Sequence, residues 1–177
     1  MPRRNNLVFN ENSLQNSSSS VGEPYRTYSA SDPRVPVTQH PSLVSTSNIR
    51  HWYQTKYSLV STPIPLAKYE EAQLIIAEAD IRSGSLATAL PILNAERARG
   101  NQGVFTGTTQ AQYLAELIDQ RRRELFLEGQ QLGDIIRYGT VLTPATGSPY
   151  HFGGGNYGTQ ICFPLPSAET LNNPKIG

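Results

Sequence analysis

Apolar positions follow no helical period over the first 63 residues. Ser, Asn, Pro and Thr dominate there, with the run Asn16-Ser17-Ser18-Ser19-Ser20 as its extreme. Short extended pieces are predicted at Leu7-Val8-Phe9 and over 50–60, where Trp52, Lys56 and Ser58 share one parity and His51, Tyr53 and Tyr57 the other. This half holds too little apolar surface to fold alone and is expected to lean on the remainder. From Pro65 the period becomes helical. Leu66, Tyr69, Ala72, Leu74, Ile75, Ala77, Ala79 and Ile81 form a broad apolar face that stops at Ser83-Gly84. Ser85 is placed to cap a second helix through Leu86, Ala89, Leu90, Leu93 and Ala95 to Arg99-Gly100. Pro91 falls inside it and is expected to kink it or shift its start. Thr108 or Thr109 caps a third helix, with Tyr113, Leu114, Leu117, Ile118, Leu125 and Phe126 on its buried side and Gly129 as its stop. A fourth segment, from Gln131 to Arg137, closes at Gly139. Beyond it the chain is Gly- and Pro-rich, with one strand predicted from Gln160 to Phe163.

These elements predict three regions: 1–63, loop-rich with short strands; 64–139, a helical core; and 140–177, a loop and tail packed on the helices. The expected fold is mainly α, built of tetratricopeptide-like helix pairs with long irregular loops and a few short strands. Ala77, Gly84 and Ala89 carry the repeat reading, because small residues at such spacing let two helices approach closely. An ordinary antiparallel helix pair accounts for the same three residues.

Composition then narrows the chemistry. Charged residues make up 16% of the chain, against about 25% in a typical soluble domain. The surface is therefore built largely from Ser, Thr, Asn, Gln and Tyr, which suits uncharged polar ligands. A net charge of +1 argues against nucleic acid as a partner, since no basic excess is present to neutralise phosphates. The lone Cys162 cannot form an internal disulfide. Met1-Pro2-Arg3-Arg4-Asn5-Asn6 leads into no apolar core, so the sequence by itself reads as cytoplasmic.

The densest charge pattern runs from Asp119 to Arg137. Asp119 and Arg123 form an i,i+4 pair, and Glu124 and Glu128 share a helical face. Two carboxylates on one face can serve acid/base chemistry or a metal. Here Arg121, Arg122 and Arg123 flank them and no histidine lies within a turn, so structural ion pairs are the expected role. His40, His51 and His151 are scattered without helical spacing, and neither a metal nor a cofactor is expected. Gly153-Gly154-Gly155 lacks the Lys-Ser/Thr of a phosphate loop. Loop aromatics are the remaining candidates. Trp52, Tyr53, Tyr150, Phe152 and Tyr157 stand beside small or polar residues, where a sugar ring could stack its C–H face. Packing of these rings onto the helices is an equal alternative.

Five segments together resemble the SusD/RagB family. Arg121, Arg122, Glu124, Leu125, Glu128, Gly129, Asp134 and Arg137 match its pattern E-R-R-x-E-L-x-F-E-G-x-R-W-F-D-L-x-R. The stretch from Tyr69 to Ala79 is similar to R-Y-A-E-x-x-L-x-x-A-E-A, and that from Ala89 to Arg99 to A-L-x-x-L-N-x-V-R-x-R. Asp32-Pro33-Arg34 resembles an upstream D-P-R, while Phe163 to Glu169 with Asn173-Pro174 resembles the closing P-I-P-x-x-E and N-P. Three places depart from the pattern: Gln120 stands for Glu, Gln131 for a basic residue, and Leu132-Gly133 for Trp-Phe. The resemblance covers the family's C-terminal portion.

It implies a non-catalytic, surface-exposed outer-membrane lipoprotein that binds glycan or another nutrient and delivers it to a TonB-dependent transporter. The expected partners are an oligosaccharide and that transporter, with no nucleic acid. Two rival readings are a helical-repeat module that binds protein and, more remotely, a fragment of a carbohydrate-active enzyme.

Overall fold

The computed structural model describes residues 25–44, 50–59, 61–141, 145–149 and 155–159. The strands expected at Leu7-Val8-Phe9 and from Gln160 to Phe163, and residues Tyr150, Phe152 and Cys162, lie outside them. The chain divides into two compact units, Met1–Gln131 and Leu132–Gly177. The described residues are mainly helical: α1 (Tyr25–Ser29), β1 (Val37–Val44), β2 (Arg50–Gln54), α2 (Tyr69–Ser83), α3 (Leu86–Arg99), α4 (Gln110–Glu124) and α5 (Gln131–Tyr138).

In the first unit α2, α3 and α4 pack around Leu74, Ala77, Ile81, Ala89, Leu93, Tyr113 and Leu117, all buried. Ala77 and Ala89 are fully enclosed, as the close-packing argument requires. Gly84 does different work: at φ 84° it ends α2 in the left-handed region, with Ser85 N–H donating to the Asp80 carbonyl. A side chain at Gly84 would meet nothing within 4 Å. α2 begins at Tyr69 rather than at Pro65, and only part of its expected apolar face is covered. Leu66, Tyr69, Ile75 and Ile76 are exposed, because the stripe that packs is Leu74-Ala77-Ile81 at three- and four-residue steps. α3 runs unbroken from Leu86, so Pro91 does not shift its start; Pro91 is exposed and merely removes one in-helix donor. Thr109 caps α4 through a capping box with Gln112.

A second cluster joins the N-terminal half to the end of α4. Val35, Val37 and Phe126 are buried, with Tyr25, Tyr28, Trp52 and Leu127 packed against them. β1 and β2 pair antiparallel, Val37 opposite Gln54 and Gln39 opposite Trp52, and the register shifts between Gln39 and Val44. Pro41 lies in that interval, where a residue without an N–H cannot complete a ladder. β2 stops at Gln54, short of the extended run expected to Val60. The Gln54 side chain closes the turn instead, donating to the Tyr57 carbonyl at 2.9 Å and accepting from the Tyr57 N–H at 2.7 Å.

In the second unit, Pro149 and Asn156 form an antiparallel bridge, and Tyr157 N–H donates to the Ser148 carbonyl at 2.9 Å.

Candidate functional site

The turn between α1 and β1 buries Asp32 and the side chain of Arg34, with Pro33 exposed between them. Asp32 Oδ1 accepts from both the backbone N–H and Nε of Arg34, each at 3.0 Å, while Oδ2 accepts from Nη2 at 2.8 Å. This bidentate pair is fully enclosed, and such geometry is what a guanidinium favours. Arg34 Nη2 also donates to Gln120 Oε1 of α4 at 2.9 Å, and Nη1 lies 3.4 Å from Glu96 Oε2 of α3. Arg123 of α4 closes the circle: Nη1 reaches Asp32 Oδ2 at 3.3 Å, Nε reaches Asp119 at 2.7 Å, and its guanidinium stacks 3.7 Å from the Tyr28 ring centre. One enclosed ion cluster thus joins the turn, α3 and α4.

Gln120 replaces the glutamate of the family pattern, and its surroundings show why an amide fits. Its Nε2 donates to Gln102 Oε1 at 2.8 Å and to Glu116 Oε1 at 2.7 Å. A carboxylate at this fully buried position would face Glu116 with no proton to offer.

Two lysines from upstream fix where α4 ends. Lys68 Nζ donates to the Glu124 carbonyl at 3.0 Å, and Lys56 Nζ to the Phe126 carbonyl at 2.7 Å. A continuing helix would give the Glu124 carbonyl to the N–H of Glu128, which bonds Leu125 instead. The helix therefore stops at Glu124, five residues before the expected Gly129, and Leu127 (φ 61°) and Gly129 (φ 79°) carry the chain away. The same ammoniums take the two carboxylates singled out in the sequence. Lys68 bonds Glu124 Oε1 at 2.8 Å and Glu128 Oε1 at 3.0 Å, and Lys56 bonds Glu128 Oε1 at 2.7 Å. The ion pairing expected of Glu124 and Glu128 is present, but with these lysines, Arg34 and Arg99 rather than with the adjacent arginines. Glu128→Ala should leave two partly buried ammoniums short of a partner. The expected cost is about 2–3 kcal/mol, below the range for wholly buried pairs because both lysines retain some solvent. An unchanged urea midpoint would mean that Glu128 is merely solvated.

The electrostatics follow from this crowding. Burial opposes ionisation of Asp32, but the hydrogen bonds from Arg34 outweigh it and hold the carboxyl below its usual range. Burial likewise opposes Glu124, and Lys68 with Arg99 and Arg34 brings it down. Glu96 goes the other way: burial first, then the charge of Glu124, push it up to about 7. Burial lowers Lys56, whereas in Lys68 the two glutamates overcome burial and raise it.

An open cleft of about 430 Å³ lies over this network, lined by Pro33, Arg34, Pro36, Lys56, Lys68, Arg99 and Glu124. Beside Pro33 and Pro36 its walls are charged groups already paired with one another, and neither Trp52 nor Tyr53 is among its lining. Trp52 and Tyr53 are adjacent on β2 and so project to opposite faces. Trp52 packs against the Val35–Phe126 cluster with the Arg26 guanidinium 5.6 Å from its ring centre, and Tyr53 lies 5.9 Å from His40. Tyr157, in the second unit, is half-buried. Of the motif residues, Arg121 is buried, Arg122 sets its charge against Tyr25 and Tyr28, and Arg137 pairs with Asp134 at 3.1 Å in α5. Among the described residues no group of three His, Cys, Asp or Glu is placed to hold a metal. No helix there is long and apolar enough to cross a membrane.

The Asp32–Arg34, Tyr69–Ala79, Ala89–Arg99 and Arg121–Glu128 segments thus meet in one cluster, while the closing segment from Phe163 to Pro174 lies outside the described residues. The SusD family model matches residues 4–176. The chain belongs to the SusD family. It is 36% identical over 122 residues to the starch-binding protein SusD of Bacteroides thetaiotaomicron, an alignment that covers 63% of this chain and 20% of that protein. A crystal structure of a SusD superfamily protein from Bacteroides vulgatus matches 60% of this chain and 28% of that one, at 23% identity and a TM-score of 0.48. The chain therefore spans about a fifth of the length of its curated SusD relative. Within this SusD-family chain, Lys56, Lys68, Glu96 and Gly100 are site residues that sequence reasoning passed over. Lys68 alone left a trace: a cation at the N-cap of α2 opposes the helix dipole, which signals a partner elsewhere.

Proposed function

We propose that this chain is the C-terminal part of a non-catalytic binding protein that holds oligosaccharide, or another bulky nutrient, at the bacterial outer-membrane surface and passes it to a TonB-dependent transporter. The observation that carries this reading is the family match across 4–176, together with 36% identity to a protein named for binding starch. The geometry supports a role without catalysis. A glycosidase needs two carboxyl groups across a substrate, one free to give a proton and one to receive it or attack. Here Asp32, Glu124 and Glu128 are tied to Arg34, Lys68 and Lys56, and Glu96, though pushed up to about 7 by burial, is enclosed behind Arg34 and Arg99. The sugar-facing candidates remain Trp52, Tyr53, Tyr150, Phe152 and Tyr157.

Trp52 is the single tryptophan and reports on the β1–β2 hairpin directly. Titration with neutral maltooligosaccharides should shift its emission. Trp52→Ala should weaken binding by about 1–3 kcal/mol, by analogy with stacking of nucleobases on aromatic rings, while the protein still melts cooperatively. Emission and heat of mixing that stay flat with every sugar would favour the second reading, a helical-repeat module for protein. Exposed Leu66 before α2, and Tyr69, Ile75 and Ile76 along it, support that alternative.

A further inference from the structure

Arg34 directs Nε and Nη2 to Asp32 and leaves Nη1 facing two carboxylates at longer range. Glu96 Oε2 lies 3.4 Å from Nη1 and Glu124 Oε2 lies 3.8 Å from it. Arg99 divides itself the same way, with Nε 3.6 Å from Glu96 Oε2 and Nη2 3.4 Å from Glu124 Oε1. The two carboxylates are not equally served. Glu124 has the Lys68 ammonium at 2.8 Å, whereas the ion pairs of Glu96 are all 3.4 Å or longer. Moreover, Glu124 Oε2 is buried and accepts no hydrogen bond. A buried acceptor without a donor calls for an explanation, and the like charge of a nearby carboxylate makes its position worse. A proton on Glu96 would neutralise the poorly paired carboxyl and remove that charge from beside Glu124.

We propose that Glu96 holds a proton at neutral pH beside an ionised Glu124, and that its release loosens the joint of α3 to the Asp32–Arg34 turn and the cleft wall above it. Every charge around Glu96 bears on this. Arg34 comes from the turn, with Asp32 taking most of its guanidinium. Glu70 from α2 adds a further negative charge, and Lys68 before α2 is committed to Glu124 and Glu128. On α3, Arg97 is turned to Glu116, leaving Arg99. From α4 come neutral Gln120, Glu124 itself, and Arg123, which is held by Asp32 and Asp119. The cations near Glu96 are thus shared with other carboxylates, Arg99 with Glu70 at 3.2 Å among them, and neither Arg34 nor Arg99 comes closer to Glu96 than 3.4 Å.

The sign of the pH effect follows. The Glu96 carboxyl sits at about 7 in the folded chain, above its free value of 4.5. The stability it contributes is complete below its free value and is lost as pH rises through about 7. Asp32 and Glu124, both lowered, act only in acid, where protonation removes what they contribute. The test is urea unfolding of the whole chain from pH 5.5 to 8.5, beside infrared difference spectra of the native state. The wild-type midpoint should fall with rising pH, with about one proton released on unfolding near pH 6. Glu96→Gln should flatten that slope. A protonated-carboxyl band should be present at pH 6, fade by pH 8.5, and be missing from Glu96→Gln. A slope that survives in Glu96→Gln, or the lack of such a band in native wild type at pH 6, overturns the proposal. The wild-type band decides the matter even where the variant fails to fold.

Discussion

Replacing Arg34 with methionine should lower the free energy of unfolding by about 3–5 kcal/mol, the usual cost of removing one partner from an enclosed ion pair. Asp32 would lose both arms of its bidentate partner while fully buried, Gln120 would lose its donor, and Glu96 and Glu124 would lose the cation they share. Methionine fills a similar volume, so the loss reports on charge and hydrogen bonding more than on a cavity. Arg34→Lys should recover only part of it, because a single ammonium cannot meet both oxygens of Asp32 in the plane a guanidinium offers. Urea titration at pH 7 is the measurement. A change below about 1 kcal/mol would place this cluster with solvent-screened pairs.

Gly100→Ala should be nearly as damaging, although it adds one methyl group. A Cβ at Gly100 would lie 2.4 Å from Arg34 Nη2 and 2.6 Å from Asp32 Oδ2. The backbone itself, at φ −89°, would accept alanine without strain. The penalty is therefore wholly one of space, about 1–3 kcal/mol for overpacking and more where the pair is forced apart. Because both substitutions strike the same pair, the double variant with Arg34→Met should be clearly less destabilised than the sum of the two. Strict additivity in thermal or urea unfolding would show that Gly100 acts elsewhere.

These two residues illustrate what could be read in the sequence and what could not. Local features were legible. A cap at Thr108 or Thr109, of which the structure uses Thr109, Asp119 with Arg123, and the small Ala77 and Ala89 of the α2–α3 pair all act within a few residues or within one hairpin. Asp32-Pro33-Arg34 was visible as a motif, but its partners Glu96, Gln120 and Arg123 lie 62 to 91 residues away along the chain. No periodicity carries that information. Gly100 reads as a helix stop, and only the packed structure shows that it clears room for a guanidinium. The end of α4 was misplaced for the same reason, since remote lysines and not Gly129 take the terminal carbonyls. Period likewise spread the apolar face of α2 over Tyr69, Ala72, Ile75 and Ala79 as well, while burial selected the stripe Leu74-Ala77-Ile81. Glu96, the group that holds a proton near neutrality, occupies the place of a valine in the family pattern and so carried no signal.

The distance along the chain between the Asp32–Arg34 turn and its partners also bears on how the fold is reached. α2, α3 and α4 are consecutive and can assemble through short connections, whereas the turn must close a loop of more than sixty residues before Arg34 meets Glu96. Contacts of that kind are expected to form late, and a contact absent from the main barrier acts on escape from the folded state rather than on arrival. The residues by which this chain is recognised should thus set how long it persists once folded.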